Sequence, residues 1–155
     1  MEYYVSYLKD VLGNNYLGLN ISNSEVDIYL DELKTILKDE FDEYMDFKNK
    51  RDNNLFHLTL INVMECNDII RTEGIQKFVK TIEETIFTFP IDDLEMIGIG
   101  TASKNDNTTY FIVCNSNKLD AIRQRFNLEK RDLHITLAFN KKDVFGVKKD
   151  ESSLI

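Results

Sequence analysis

Leu55-Phe56-His57-Leu58-Thr59-Leu60-Ile61-Asn62-Val63 decides how this chain is read, because Leu133-His134-Ile135-Thr136-Leu137-Ala138-Phe139 repeats its centre. In both stretches a histidine is followed by an apolar residue, a threonine and another apolar residue. The chain has 155 residues and 2 histidines, so the tetrads use every imidazole available. Side chains alternate across a strand, so each histidine shares a face with the threonine two residues on. That face is expected to carry His57, Thr59, Ile61 and Val63 in the first strand. In the second it carries His134, Thr136, Ala138 and Asn140. The opposite faces, Phe56-Leu58-Leu60 and Leu133-Ile135-Leu137-Phe139, are wholly apolar and suited to pack on helices.

Outward from the tetrads, Val26, Leu30, Leu33 and Leu37 form one apolar stripe, predicting a helix over 25–38 with Ser24 as its cap. Charged residues dominate 39–54, where Phe41, Tyr44, Met45 and Phe47 allow the helix to continue before it loops out. Ile75, Phe78, Val79, Ile82 and Ile86 predict a second helix over 75–86, and Leu119, Ile122 and Phe126 a third, capped by Ser116 or Asn117. Tyr4, Val5, Leu8 and Leu12 have helical spacing at the N-terminus, and Gly13-Asn14-Asn15 marks a turn. Strands are expected at 16–21, 87–89, 94–99 and 109–114, with 101–107 as a polar loop. Each tetrad strand follows a helix, which hints at two similar lobes within one domain spanning 1–155. The expected class is α+β with antiparallel sheets.

Composition sets bounds on function. With 43% hydrophobic and 30% charged residues the chain resembles an ordinary globular protein, and no apolar run approaches membrane-spanning length. Met1-Glu2-Tyr3-Tyr4 does not open a secretory signal. Cys66 and Cys114 lack metal-like spacing, so reduced thiols and a cytosolic location are expected. Net charge is −8, against a uniformly basic surface for nucleic acid. Yet the charge is uneven: residues 1–102 hold 9 basic and 20 acidic side chains, whereas 103–149 hold 10 basic and 5 acidic. The second histidine lies in the basic section, which would attract a phosphate-bearing ligand.

Two imidazoles and two hydroxyls suit the cleavage of a phosphodiester. One neutral histidine can take a proton from the attacking oxygen while a protonated one supplies the leaving oxygen. Threonine hydroxyls can donate to the non-bridging oxygens and stabilise the charge that builds there. No metal or other cofactor is required. The residues alone do not say which histidine is base and which is acid.

Two His-x-Thr-x tetrads on strands half a chain apart resemble the 2H phosphoesterase superfamily. The stretch from His134 through Asp143-Val144-Phe145-Gly146-Val147 is similar to its Swiss-army-knife branch, of RNA-repair-like proteins. The resemblance implies a bilobal α+β fold, two antiparallel sheets with flanking helices around a central cleft, and metal-independent catalysis. It implies His57 and His134 as the acid–base pair and Thr59 and Thr136 as phosphate ligands. Substrates implied are 2′,3′-cyclic phosphates, 2′,5′ linkages, RNA ends or cyclic oligonucleotides.

Further candidates are aromatics for base stacking, Tyr16, Tyr110 and Phe145, and cations for flanking phosphates, Lys104, Arg131, Lys141 and Lys142. Gly98 and Gly100 lack the third glycine and following helix of a dinucleotide loop. Two other classes compete: a zinc site from His57, Cys66, Cys114 and His134, and a nucleotide- or RNA-binding module without turnover. The expected partner is a nucleotide, oligonucleotide or RNA, taken by a monomer with no membrane association.

Overall fold

A computed structural model describes all 155 residues. Six strands, β1 (Ser6–Lys9), β2 (Asn15–Ile21), β3 (Phe56–Ile61), β4 (Glu95–Lys104), β5 (Asn107–Asn115) and β6 (His134–Phe139), alternate with five helices. These are α1 (Asn23–Leu37), α2 (Phe41–Asp52), α3 (Val63–Glu73), α4 (Ile75–Thr81) and α5 (Asn117–Arg125). The strand order is β1-β2-β3-β6-β5-β4, and the pairings β1–β2, β3–β6, β5–β6 and β4–β5 are antiparallel. The α+β class and antiparallel pairing are as expected. The strands, expected in two sheets, follow one six-strand order in which Leu58 of β3 lies opposite Ile135 of β6.

By compactness the chain divides into two interleaved units. The first comprises Met1–Asn20, Thr59–Leu94 and Ser116–Arg131; the second comprises Ile21–Leu58, Glu95–Asn115 and Asp132–Ile155. Both histidines belong to the second unit.

In the first unit the N-terminal segment is a strand, not the helix its spacing predicts. The Asp10 carboxylate accepts from the backbone N–H of Leu12 and of Asn14, both at 2.9 Å, and Gly13 takes φ +83°. That closed turn pairs Ser6 with Gly18 and Lys9 with Asn15, so strand pairing overrides local helical periodicity. No helix is expected over α3, yet its start is a capping box: Asn62 accepts from Glu65 N at 2.9 Å and Glu65 accepts from Asn62 N at 3.1 Å. Arg123 of α5, 4% exposed, locks this start by donating to both Glu65 oxygens (3.0 and 2.7 Å) and to the Leu60 carbonyl (2.8 Å). The strand expected at 87–89 is absent. A π-helical turn, Ile82–Ile86, follows α4, and Phe87 N donates to Ile82 O at 2.9 Å before Pro90 ends the run.

In the second unit, α1 is capped by Ser22 rather than Ser24, because Glu25 completes the box with Ser22. The charged 39–54 stretch remains helical after a short 3₁₀ turn, as α2. The polar loop expected at 101–107 is instead the end of a hairpin. Lys104 pairs with Asn107, and Asn105 and Asp106 turn the chain at φ +50° and +64°, a conformation these residue types tolerate. Gly100 matters for packing: a Cβ there would meet the Phe111 ring at 2.6 Å.

No helix is long and apolar enough to cross a membrane. Cys66 and Cys114 are free and buried, and burial pushes their thiols up to about 11 and about 12. No group of three or more His, Cys, Asp or Glu side chains is arranged to hold a metal ion.

Candidate active site

Strand β3 is anchored by Phe56, Leu58 and Leu60, all buried, and β6 by Ile135, Leu137 and Phe139, also buried. Each fully buried Leu or Ile contributes about 1.5–3 kcal/mol, so a one-residue slip of either strand is costly. The register is therefore firm, and it carries His57 opposite Thr136 once Leu58 faces Ile135. Thr59 returns to the face of His57 along β3. The shared face is shorter than expected: β3 ends at Ile61, and Val63 begins α3.

His134 is half-buried. Its Nδ1 lies 2.7 Å from the Asp132 carbonyl oxygen, which can only accept, so Nδ1 carries a hydrogen. In the neutral ring Nε2 then holds the lone pair. The Phe111 ring stands edge-on to the imidazole, with centroids 5.6 Å apart. On the neighbouring strand, burial comes first in pushing the His57 imidazole below its usual range. The Arg51 and Lys48 cations add to that effect, and the Asp52 and Asp143 carboxylates oppose it.

Thr136 is buried, and its hydroxyl donates to Asp143 Oδ2 at 3.4 Å. Asp143 also meets Arg51 Nη1 at 2.8 Å and Lys149 Nζ at 3.3 Å, and its Oδ1 accepts from Val144 N at 2.8 Å. Arg51 spans to Asp52 through Nε and Nη2, both at 2.8 Å. Lys48, with no exposed surface, donates to the Leu55 carbonyl, lies 3.7 Å from Asp52 and stacks 3.6 Å above the Phe56 ring centre. Five charges thus alternate along one chain: Lys48, Asp52, Arg51, Asp143, Lys149.

The remaining candidates fall in varied places. Phe145 is 72% exposed, and Lys104 Nζ donates to its carbonyl at 3.3 Å. Tyr110 packs against Tyr44 of α2, with ring centres 6.0 Å apart. Lys141 and Lys142 are exposed. Tyr16 and Arg131 belong to the first unit, where Tyr16 helps line a cavity of about 250 Å³ and Arg131 lies 4.0 Å from Glu65. Sequence reasoning missed Lys48, Arg51, Asp52, Asp143 and Lys149 as members of the charge chain. They fall in two short segments far apart in sequence and resemble surface charges, so no local signal joins them.

The model of the Swiss Army Knife 2H phosphoesterase domain matches residues 15–145. No curated protein and no solved structure matches the chain. With the matched span covering most of its length, including both tetrads, the chain belongs to the Swiss Army Knife family of 2H phosphoesterases and is, in general terms, a phosphoester hydrolase.

Proposed function

We propose that the chain is a metal-independent, cytosolic phosphodiesterase that hydrolyses a nucleotide or RNA phosphodiester, a 2′,3′-cyclic phosphate or a 2′,5′ linkage, as a monomer. The observation that carries this reading is the placement of His57 opposite Thr136, on the strand next to the one that bears His134.

His57 is the general base. Burial and the nearby cations favour its neutral form, so at neutral pH it can take a proton from the attacking water. His134 is the general acid. The Asp132 carbonyl fixes its Nδ1–H and supports the imidazolium, leaving Nε2 to deliver the proton to the departing ribose oxygen as the P–O bond breaks. Thr59 and Thr136 hold the non-bridging oxygens. The Thr136 bond to Asp143 is long at 3.4 Å, and a phosphate oxygen at an ordinary hydroxyl distance of about 2.7 Å is the better acceptor.

The test is a hydrolysis panel in EDTA: 2′,3′-cyclic mononucleotides, 2′,5′-linked oligoadenylate, cyclic oligonucleotides, and RNA ending in a cyclic phosphate. EDTA-resistant turnover of the first, second or last substrate supports the proposal. Turnover confined to cyclic oligonucleotides would reassign the enzyme to signal degradation. Binding without turnover would make it a binding module.

A further inference from the structure

We propose that Lys149 is a phosphate-binding residue, a cation that contacts the scissile phosphate beside His134 and Thr136. This rests on the phosphodiesterase reading above and adds to the two tetrads a group outside both.

Three residues tie Lys149 to the second tetrad. Asp132 accepts the His134 ring N–H on its backbone carbonyl at 2.7 Å and the Lys149 backbone N–H on its carboxylate at 3.0 Å. Phe111 stands edge-on to His134 at 5.6 Å between ring centres, and Lys149 Nζ lies 5.7 Å from the same phenyl centre. Asp143 receives the Thr136 hydroxyl on one carboxylate oxygen and Lys149 Nζ on the other. A phosphate held by both His134 and Thr136 therefore sits beside the Lys149 ammonium. Gly100 keeps this geometry open, since any side chain there would displace the Phe111 ring.

Charge points the same way. The chain Lys48, Asp52, Arg51, Asp143, Lys149 contains three cations and two carboxylates, and Lys48, Asp143 and Lys149 are at most 8% exposed. A buried cation already stripped of most of its water is a strong partner for a phosphate oxygen. An ammonium group offers three donors, so Lys149 can reach a phosphate oxygen while retaining Asp143. In such a water-poor setting a fixed cation acts strongly on the charge that develops at phosphorus.

The experiment uses inorganic phosphate as the probe and binding, not turnover, as the readout. In the full chain, the Lys149 Nζ resonance is followed by lysine-selective ¹⁵N NMR during a phosphate titration, its assignment given by its loss in Lys149→Arg. Calorimetry then compares phosphate binding by wild type, Lys149→Arg and Lys149→Met. The proposal expects the Nζ resonance to move and Lys149→Met to bind phosphate about 10- to 100-fold more weakly, the scale of a charged hydrogen bond. Lys149→Arg is expected to stay within a few-fold of wild type. An unmoved resonance, no phosphate binding by wild type, or equal binding by Lys149→Met overturns it. The NMR arm uses the wild-type fold, so it decides even where Met at position 149 disturbs folding. A chain that binds phosphate through Lys149 yet hydrolyses no ester would contradict the phosphodiesterase reading alone.

Discussion

The Thr136 hydroxyl donates to Asp143 Oδ2 at 3.4 Å, on a carboxylate already bound by Arg51 and Lys149. Burial alone would raise the Asp143 carboxyl, but the Lys149 and Arg51 charges outweigh it and hold the group at about 2. Asp143 is thus a permanent anion near neutral pH. It fixes where Thr136 points and keeps two cations in the same buried region.

Acid should cost this fold stability through Asp143. Its folded value lies below the ordinary 3.8, so its contribution is fully present above about pH 4 and fades as pH falls toward 2. The difference corresponds to about 2 kcal/mol. Urea unfolding from pH 5 down to pH 2 should show that loss in wild type and a flatter curve in Asp143→Asn. Parallel curves would show that Asp143 is not held down in the folded state.

Lys48 acts in the opposite pH range. Burial lowers its ammonium from 10.5 to about 8, with Asp52 opposing. Between about pH 8 and 10.5 the unfolded chain binds the extra proton, so stability attributable to Lys48 rises with pH across that window. Wild type should gain stability relative to Lys48→Met between pH 8 and pH 10. No relative gain would contradict the depressed amine.

His57 gives a pH signature of mechanism. Its imidazole is lowered below 6.5, first by burial, so acidification protonates it later than a free histidine. Stability linked to it is present above 6.5 and is lost as pH falls through the lowered value. As the general base, it should place the acid limb of kcat/KM below pH 6.5. The ring's NMR titration should have the same midpoint. An acid limb that does not coincide with His57 would move the base elsewhere.

Much of this was legible in the sequence, for identifiable reasons. The tetrad strands carry strict alternation over apolar residues, and α1 and α4 carry clear apolar stripes, so both could be read locally. The capping boxes Ser22-x-x-Glu25 and Asn62-x-x-Glu65 were also readable, and the second would have revealed α3. Strand β1 departs from its local pattern because four apolar residues fit a helical period, while its pairing depends on a turn closed by Asp10. The charge chain was illegible because the link that joins its two local halves is long-range: Arg51 meets Asp143 across 92 residues.

Arg123 should carry much of the first unit's rigidity. It is buried and binds both Glu65 oxygens together with the Leu60 and Glu129 carbonyls. Arg123→Met leaves Glu65 and two carbonyls without that partner, and should cost about 3–5 kcal/mol in urea unfolding at pH 7. A cost below about 1 kcal/mol, the level of a surface pair, would show that the network is not structural.

In the proposed mechanism His57 and His134 act as a pair. The most direct test measures kcat/KM on the best substrate in EDTA for wild type, His57→Ala and His134→Ala, each checked for an unchanged thermal transition. Either substitution is expected to lower the rate at least about 10²-fold while the protein stays folded. Turnover that survives in either variant within a few-fold of wild type would contradict it.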